Sequence, residues 1–327
     1  MSIRLGKLTL SGGIMLAPMA GYSDRAMRKV CHDCGAELSF TEMVSARAVT
    51  FEDKKTSLIA GTRPDEGAVA LQIFGNDPDI MARAVSSLQW GRGEPGYSPP
   101  VAIDINMGCP VNKIYGNGEG SALMKSPELI EKIVRSVVGS TDLPVTVKMR
   151  RGVDRDSENA VECALAAESG GASMVTIHGR FKSQLYGGTS DLDIIKRVKS
   201  ALLVPVVANG DIVDAKTALE AFSYTGCDGV MIGRGAVGNP FIFEEISAAI
   251  RGEAYTPPTI EERIRVSLLQ LSLAVEDKGE RVAVTEARKQ IALYFKGRRG
   301  SAELRARINT ALTYREVERA IEESIEL

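Results

Sequence analysis

Cys109 lies between Gly108 and Pro110, at the head of a long segment with glycines at 116, 118 and 120, a composition suited to a loop that moves over a pocket. A thiol ordinarily titrates at about 8.5, so at neutral pH it is largely protonated and can donate a proton as well as act as a nucleophile. No histidine adjoins Cys109 in sequence, so the residues carry no argument for a Cys–His hydrolase. The bland reading, a small hydrophobe packed under a loop, suits Cys163 and Cys227 better, because they sit in helix-like and loop contexts.

Other polar groups close apolar runs. Lys148, with Val145, Val147 and Met149 as neighbours, must place its ammonium in an open mouth or bury it at a steep cost, and a bound anion would resolve that conflict. Were the ligand a flavin, a lysine near the pyrimidine end of the ring would stabilise the negative charge of its reduced form. His178 ends the next run and reads either as a ligand contact or as a satisfied core histidine. Asn209-Gly210-Asp211 and Gly233-Arg234-Gly235 follow the last two runs. Their glycines would let backbone N–H groups approach a phosphate, with Arg234 adding a bidentate charge, or they would serve only as turns.

These groups need elements to position them. Short β-branched or apolar runs recur along the chain, most of them followed by a segment of helical periodicity, the pattern of repeated βα units. It predicts strands at Ile14–Pro18, Leu38–Met43, Ala68–Phe74, Val101–Asn106, Val145–Lys148, Met174–His178, Pro205–Asn209 and Gly229–Ile232. Helices are expected at Asp24–Cys34, Pro78–Leu88, Pro127–Val138, Ser157–Ser169, Asp191–Lys199, Asp214–Phe222 and Pro240–Ile250. Eight units predict an α/β fold of the TIM (β/α)8 class, whose functional groups gather at the C-terminal strand ends. A doubly wound sheet would carry G-x-G-x-x-G after the first strand, where this chain reads Ala17-Pro18-Met19-Ala20-Gly21. Prolines near Tyr255–Thr259 end the barrel, and the remainder is helical in pattern, so residues 1–250 are expected to form the barrel and 258–327 a small all-helical domain. Gly91–Pro100 reads as a solvent-exposed insertion at the end of the barrel opposite the mouth.

Composition sets the outer limits. With 44% hydrophobic residues the 327-residue chain can bury a full core, and 40 Lys+Arg against 42 Asp+Glu exclude a globally basic nucleic-acid coat while leaving room for a local patch. The longest unbroken apolar run, Ala201–Ala208, is far short of the roughly 20 residues of a bilayer span, and the N-terminus lacks a leader's apolar core, so no membrane association and a cytoplasmic location are expected. Five cysteines are too few for a disulfide scaffold. Cys31-His32-Asp33-Cys34 has metal or redox spacing without a second pair to complete four ligands, and reads as two thiols on the buried face of a helix with His32 at the surface.

Several stretches together closely resemble the tRNA-dihydrouridine synthase family: Pro18-Met19-Ala20-Gly21, Asp104-Ile105-Asn106-Met107-Gly108-Cys109-Pro110 followed by Lys113, Val147-Lys148-Met149-Arg150, Ile177-His178-Gly179-Arg180, Asn209-Gly210-Asp211 and Ile232-Gly233-Arg234-Gly235. Arg288-Lys289 through Tyr294, Gly297 and Arg305 look like that family's helical domain. The resemblance implies an FMN-dependent enzyme that saturates the 5,6 double bond of a uridine in tRNA, with NADPH or NADH as reductant. Hydride would reach carbon 6 from the reduced flavin while Cys109 protonates carbon 5. It implies FMN contacts from Pro18, Met19, Ala20, Gln72, Lys148, His178, Asn209, Gly210, Asp211, Gly233 and Arg234, and substrate contacts from Asn106, Arg150, Arg288 and Lys289. Such chemistry needs the base out of its stack. Between Arg281 and Arg307, eight Lys+Arg face two acids, a local excess that suits an RNA-binding face, or else a solvated helical one. The competing enzyme class is a small-molecule FMN oxidoreductase of the dihydroorotate dehydrogenase type; the helical domain and its basic run argue against it. A monomer is expected, and the residues do not distinguish transfer from ribosomal RNA.

Overall fold

The computed structural model describes residues 2–50, 59–87 and 96–324. Eight parallel strands close into a barrel: β1 (Ile14–Leu16), β2 (Leu38–Phe40), β3 (Val69–Phe74), β4 (Ala102–Met107), β5 (Val145–Gly152), β6 (Met174–Phe181), β7 (Val206–Asn209) and β8 (Gly229–Ile232). β8 pairs back onto β1 with Met231 opposite Met15, and β2 pairs with β3 with Ser39 opposite Val69, so no edge is left open. The expected strands are all present. β5 and β6 run further than anticipated, to Gly152 and Phe181, because Arg150 and Arg180 turn inward and are satisfied inside the mouth.

Side chains alternate across each strand, and the alternation divides the barrel into two zones. Outward-facing Ile103, Ile105, Val147, Val175, Ile177, Ala208 and Ile232 are buried beneath the surrounding helices. Inward-facing Met15, Leu38, Phe40, Ala70, Ala102, Met174, Val207 and Met231 fill the lower barrel. Two residues further along the same strands the inward positions become polar: Gln72, Asp104, Thr176 and Asn209, joined by Thr146 and Lys148, then Asn106, Arg150 and His178. The bottom is plugged by an antiparallel hairpin, Ile3–Leu5 with Leu8–Leu10, turning at Gly6 with φ +56°, whose Ile3, Leu5 and Leu10 complete the apolar zone. That hairpin was not anticipated, although its Ile-x-Leu and Leu-x-Leu alternation about Gly6-Lys7 is legible.

The predicted helices form with boundaries shifted by a few residues, several under N-caps such as Asp24 on Arg25–Asp33 and Ser126 on Pro127–Val138. The second barrel unit carries only the short helix Ala46–Thr50 ahead of residues 51–58, which lie outside the described residues. Residues 91–95 of the expected insertion also lie outside them; Ser98, further on, donates its N–H to Thr62 as the chain approaches β4.

Helix Ile242–Arg251 is the last of the barrel, and four helices follow: Ile260–Lys278, Glu280–Ala287, Ser301–Thr310 and Tyr314–Ser324, with a short 3-10 turn at Ile291–Phe295. Thr259 and Glu262 form a capping box that starts the first of them. This unit lies against helix Arg25–Asp33, where Arg25 pairs with Asp277 at 2.9 Å and Asp65 at 2.8 Å, and Lys278 pairs with Asp24 at 2.6 Å. Beneath the ion pairs, Val30 and Cys31 share one core with Val266, Ile291 and Tyr294.

Candidate active site

The polar upper barrel is wired by one chain of hydrogen bonds. Buried Asp104 accepts from Thr146 Oγ1 at 2.5 Å and from Gln72 Nε2 at 2.7 Å. With its NH2 committed to Asp104, Gln72 presents Oε1 to Asn106 Nδ2 at 2.9 Å. Asn106 in turn presents Oδ1 to the backbone N–H of Gly108 and Cys109, at 3.1 and 2.9 Å. A carboxylate that can only accept therefore sets the orientation of two side-chain amides and, through them, the turn that carries the thiol. Burial pushes the Asp104 carboxyl up to about 6, against the pull of its two donors and of Lys148.

Cys109 stands at the head of its loop with a relative exposure of 9%. Burial raises its thiol above the ordinary range, opposed by an amide hydrogen bond from Val111 and by Arg150 and Lys148, so the group is a held proton rather than a thiolate. The loop folds back on it: Ser121 donates both its N–H and its Oγ to the Cys109 carbonyl.

Cations dominate the mouth. Desolvation first, and then Arg150, lower the half-buried Lys148 to about 8. Arg150 is clamped between two loops, Nε donating to Gly108 O and NH1 to Phe181 O and Leu185 O, all at 2.9 Å. Arg180, 2% exposed, pairs with Asp211 at 2.7 Å and donates to the carbonyls of Gly187 and Gly188. His178 is held neutral by desolvation and by the surrounding Lys148, Arg150, Arg180 and Arg234. Its Nε2 lies 3.4 Å from Arg180 NH1, which can only donate, so the ring proton is assigned to Nδ1. Asp211, at φ +55°, also accepts from Ser190 N and lies 3.4 Å from Arg234. Its carboxylate thus ties three loops together.

The glycines test whether a phosphate-bearing cofactor fits. Gly210 has φ +113°, and a Cβ there would run into Ser190 Oγ, so the chain itself demands glycine. At Gly233 a Cβ would meet Met19 Sδ at 3.6 Å and Ala17 Cβ at 3.7 Å, ordinary contact distances, so packing there does not by itself demand glycine. Arg234 beside it is 59% exposed, with its guanidinium 5.3 Å from the exposed ring of Tyr186. An accessible guanidinium and a cationic mouth suit an anionic group there. Asn209 donates Nδ2 to Met231 O at 2.7 Å, bracing β7 against β8. On the opposite side the Pro18-Met19-Ala20-Gly21 turn is pinned by Met19 N to Ser23 Oγ at 2.8 Å and by Gly21 N to Glu42 at 2.7 Å.

A model of the dihydrouridine synthase (Dus) family matches residues 15–326. The chain belongs to that family. It is 39% identical over 309 residues to the probable tRNA-dihydrouridine synthase of Rickettsia conorii, covering 94% of this chain and 91% of the relative. It is 38% identical over 297 residues to tRNA-dihydrouridine synthase B of Pasteurella multocida, covering 90% and 87% of the two chains. Histamine dehydrogenase from Rhizobium sp. 4-9 shares the fold, with a TM-score of 0.56 at 10% identity over 88% of this chain and 50% of that longer one.

Within this dihydrouridine synthase framework the helical unit also reaches the mouth. A Cβ on Gly21 would lie 3.3 Å from Lys289 Nζ, and that ammonium lies 5.2 Å from the Tyr22 ring, so Lys289 stands over the β1 loop. Arg288 turns the other way, half-buried, and donates to Ala311 O at the end of helix Ser301–Thr310. Cys31 and Cys34 are buried free thiols, Cys34 pushed up to about 12 by burial, and among the described residues no cluster could hold a metal. No described helix is long and apolar enough to cross a membrane.

Sequence reasoning gave no role to Thr146, Ser190, Glu42 or Tyr186. Thr146 lies two residues before Lys148, in phase with it on the inward face of β5, and that stride was a readable signal. Nothing local marks the other three, whose partners lie 19 or more residues away or, for Tyr186, on other loops.

Proposed function

We propose that this chain reduces the 5,6 double bond of a uridine in tRNA to dihydrouridine, with bound FMN as the redox group and NADPH or NADH as its reductant. The observation that carries the reading is a nearly buried thiol, Cys109, held by Asn106 and Ser121 at the mouth of a cationic barrel whose chain matches the dihydrouridine synthase family from residue 15 to residue 326. Gly210, Asp211, Gly233 and Arg234 would hold the FMN phosphate through backbone N–H groups and the exposed Arg234 guanidinium; Pro18, Met19, Ala20, Gln72, Lys148, His178 and Asn209 would line the ring. When bound and reduced, the flavin supplies the hydride for carbon 6 of the base.

The chain's own residues do the rest. Cys109 holds its proton at Sγ until carbon 5 requires it, and the Asn106 oxygen fixes where that sulfur stands. Lys148, still largely cationic at neutral pH, offsets negative charge beneath the base. Arg150 clamps the loop ahead of the thiol to the loop after β6, which keeps the turn rigid while substrate enters. Lys289 and the exposed cations Arg281, Lys296, Arg298, Arg299 and Arg305 of the helical unit form the RNA-facing side.

Loss of dihydrouridine from one tRNA position in a deletion strain, mapped by mass spectrometry of bulk RNA, is the expected result. An unchanged map in a strain without a second synthase would move the reading to a small-molecule flavoenzyme. A pH profile adds an independent check. The ionised Asp104 that accepts from both Gln72 and Thr146, and with it the negative charge beside Lys148, is lost as pH falls through about 6; the Lys148 cation is lost as pH rises through about 8. kcat/KM for tRNA is therefore expected to be bell-shaped between those values, and a flat profile from about pH 5 to 9 would count against both assignments.

A further inference from the structure

Two ammonium groups converge on one ring outside the site described above. Lys125 Nζ lies 4.7 Å, and Lys182 Nζ 4.3 Å, from the centroid of Tyr115. The two charges are thus no further apart than those distances together, about one Debye length in physiological salt. Among the described residues neither pairs with a carboxylate: beside the ring, Lys182 has the neutral Asn112 Oδ1 at 3.3 Å. Several other surface cations, Lys29 with Asp33, Arg151 with Glu158, Lys199 with Asp228 and Arg307 with Glu303, are neutralised by an acid. Here like charges are gathered and left uncompensated, a local cost that an external anion would remove.

The pair also has a definite place. Tyr115 belongs to the loop that leaves Cys109, Lys125 ends the 3-10 turn Gly120–Lys125 by which that loop returns, and Lys182 directly follows β6. A Cβ on Gly120 would lie 3.0 Å from the Cys109 Cβ, so the return is tight against the thiol. The cluster therefore borders the mouth beside β4 and β6, whereas Lys289 borders it beside β1.

We propose that Lys125 and Lys182, bracing Tyr115, form a binding site for a backbone phosphodiester of the substrate RNA, next to the nucleotide presented to Cys109. The site takes a phosphate rather than a base, because both cations already lie over the ring on which a base would stack. The target strand then spans the mouth, held by the helical unit on one side and by this pair on the other. The proposal rests on the RNA reading of the site.

The test uses the flavin-loaded full chain and the double variant Lys125→Gln, Lys182→Gln, which keeps side-chain length and removes both charges. Binding of unmodified tRNA is measured across a salt series, with thermal midpoints of both proteins. The variant is expected to lose about tenfold in affinity at low salt, and its dependence of log K on log salt should be shallower by about 0.7 to 1.4, the contribution of one or two single-strand phosphates. Its midpoint should stay within about 2 °C of wild type, since repulsion is relieved as the ring contacts go. An unchanged salt slope overturns the proposal, and so does a large fall in midpoint, which would make the lysines part of the fold. Polyglutamate displacing tRNA as well as polyuridylate does would assign the pair to an acidic protein instead. If the wild-type chain neither binds nor modifies tRNA, the RNA reading itself has failed, and the variant is not the cause.

Discussion

Cys109→Ala is expected to lower dihydrouridine formation by about 100- to 10,000-fold, the usual worth of a positioned general acid, while the flavin stays bound and reducible. The backbone of Cys109, whose N–H bonds to Asn106 and whose carbonyl accepts from Ser121, holds the turn and survives truncation of the side chain. The loss is therefore the proton at Sγ together with the amide hydrogen bond that Sγ accepts from Val111. Stopped-flow traces separate the two half-reactions: reduction by NADPH should run at the wild-type rate, and reoxidation by tRNA should stall. Full turnover by the variant would remove Cys109 from the chemistry and leave it as a small buried hydrophobe.

The second large effect is expected at a residue with no contact to the reacting atoms. Asp104→Asn keeps size and shape but replaces one acceptor oxygen by a donor NH2. Gln72 and Thr146 both donate to the carboxylate; with its NH2 toward Thr146 the new amide leaves that buried hydroxyl proton without its acceptor, and with its NH2 toward Gln72 it turns Gln72 over, so that Gln72 presents its NH2 to the NH2 of Asn106. Asn106 can escape only by withdrawing its oxygen from the amides of Gly108 and Cys109. A reactive group displaced by about 1 Å loses about 100-fold in rate, and that is the effect expected on kcat. A merely structural role would lower stability alone. The relay instead predicts that the acid limb near pH 6 vanishes and that the basic limb moves below about 8, because Asp104 is what raises the Lys148 ammonium against its desolvation. Wild-type kcat with an unmoved profile would show that the wiring is not used.

Both predictions concern residues that the chain itself displays unequally. Cys109 is conspicuous because a thiol between glycine and proline at a strand end has few other uses. Asp104 is not, since an aspartate inside an apolar run reads as an anomaly until the inward phase of β4 is known. Once that phase is seen, Ala102, Asp104 and Asn106 form one inward row that passes from the apolar plug to the thiol's support, and Thr146, Lys148 and Arg150 repeat it on β5. The helical unit shows the same limit: its basic run is plain in sequence, yet Lys289 is directed to the mouth and Arg288 to the Ala311 carbonyl, although the two are adjacent.

By itself the sequence determined the eight βα units, the closed barrel, the strand ends at which chemistry collects and the family, because hydrophobic periodicity and turn residues act over a few positions and repeat. Only the tertiary structure decided which polar groups serve the ligand and which serve one another. Asp211 and Arg180, 31 residues apart, are drawn together by barrel closure and occupy each other. Lys125 and Lys182, 57 positions apart in the numbering, are brought over one ring, with no acid paired to either among the described residues. Such pairings depend on loop geometry at the rim, where each contact joins segments far apart in the chain, and no local pattern of residues encodes the distance between them.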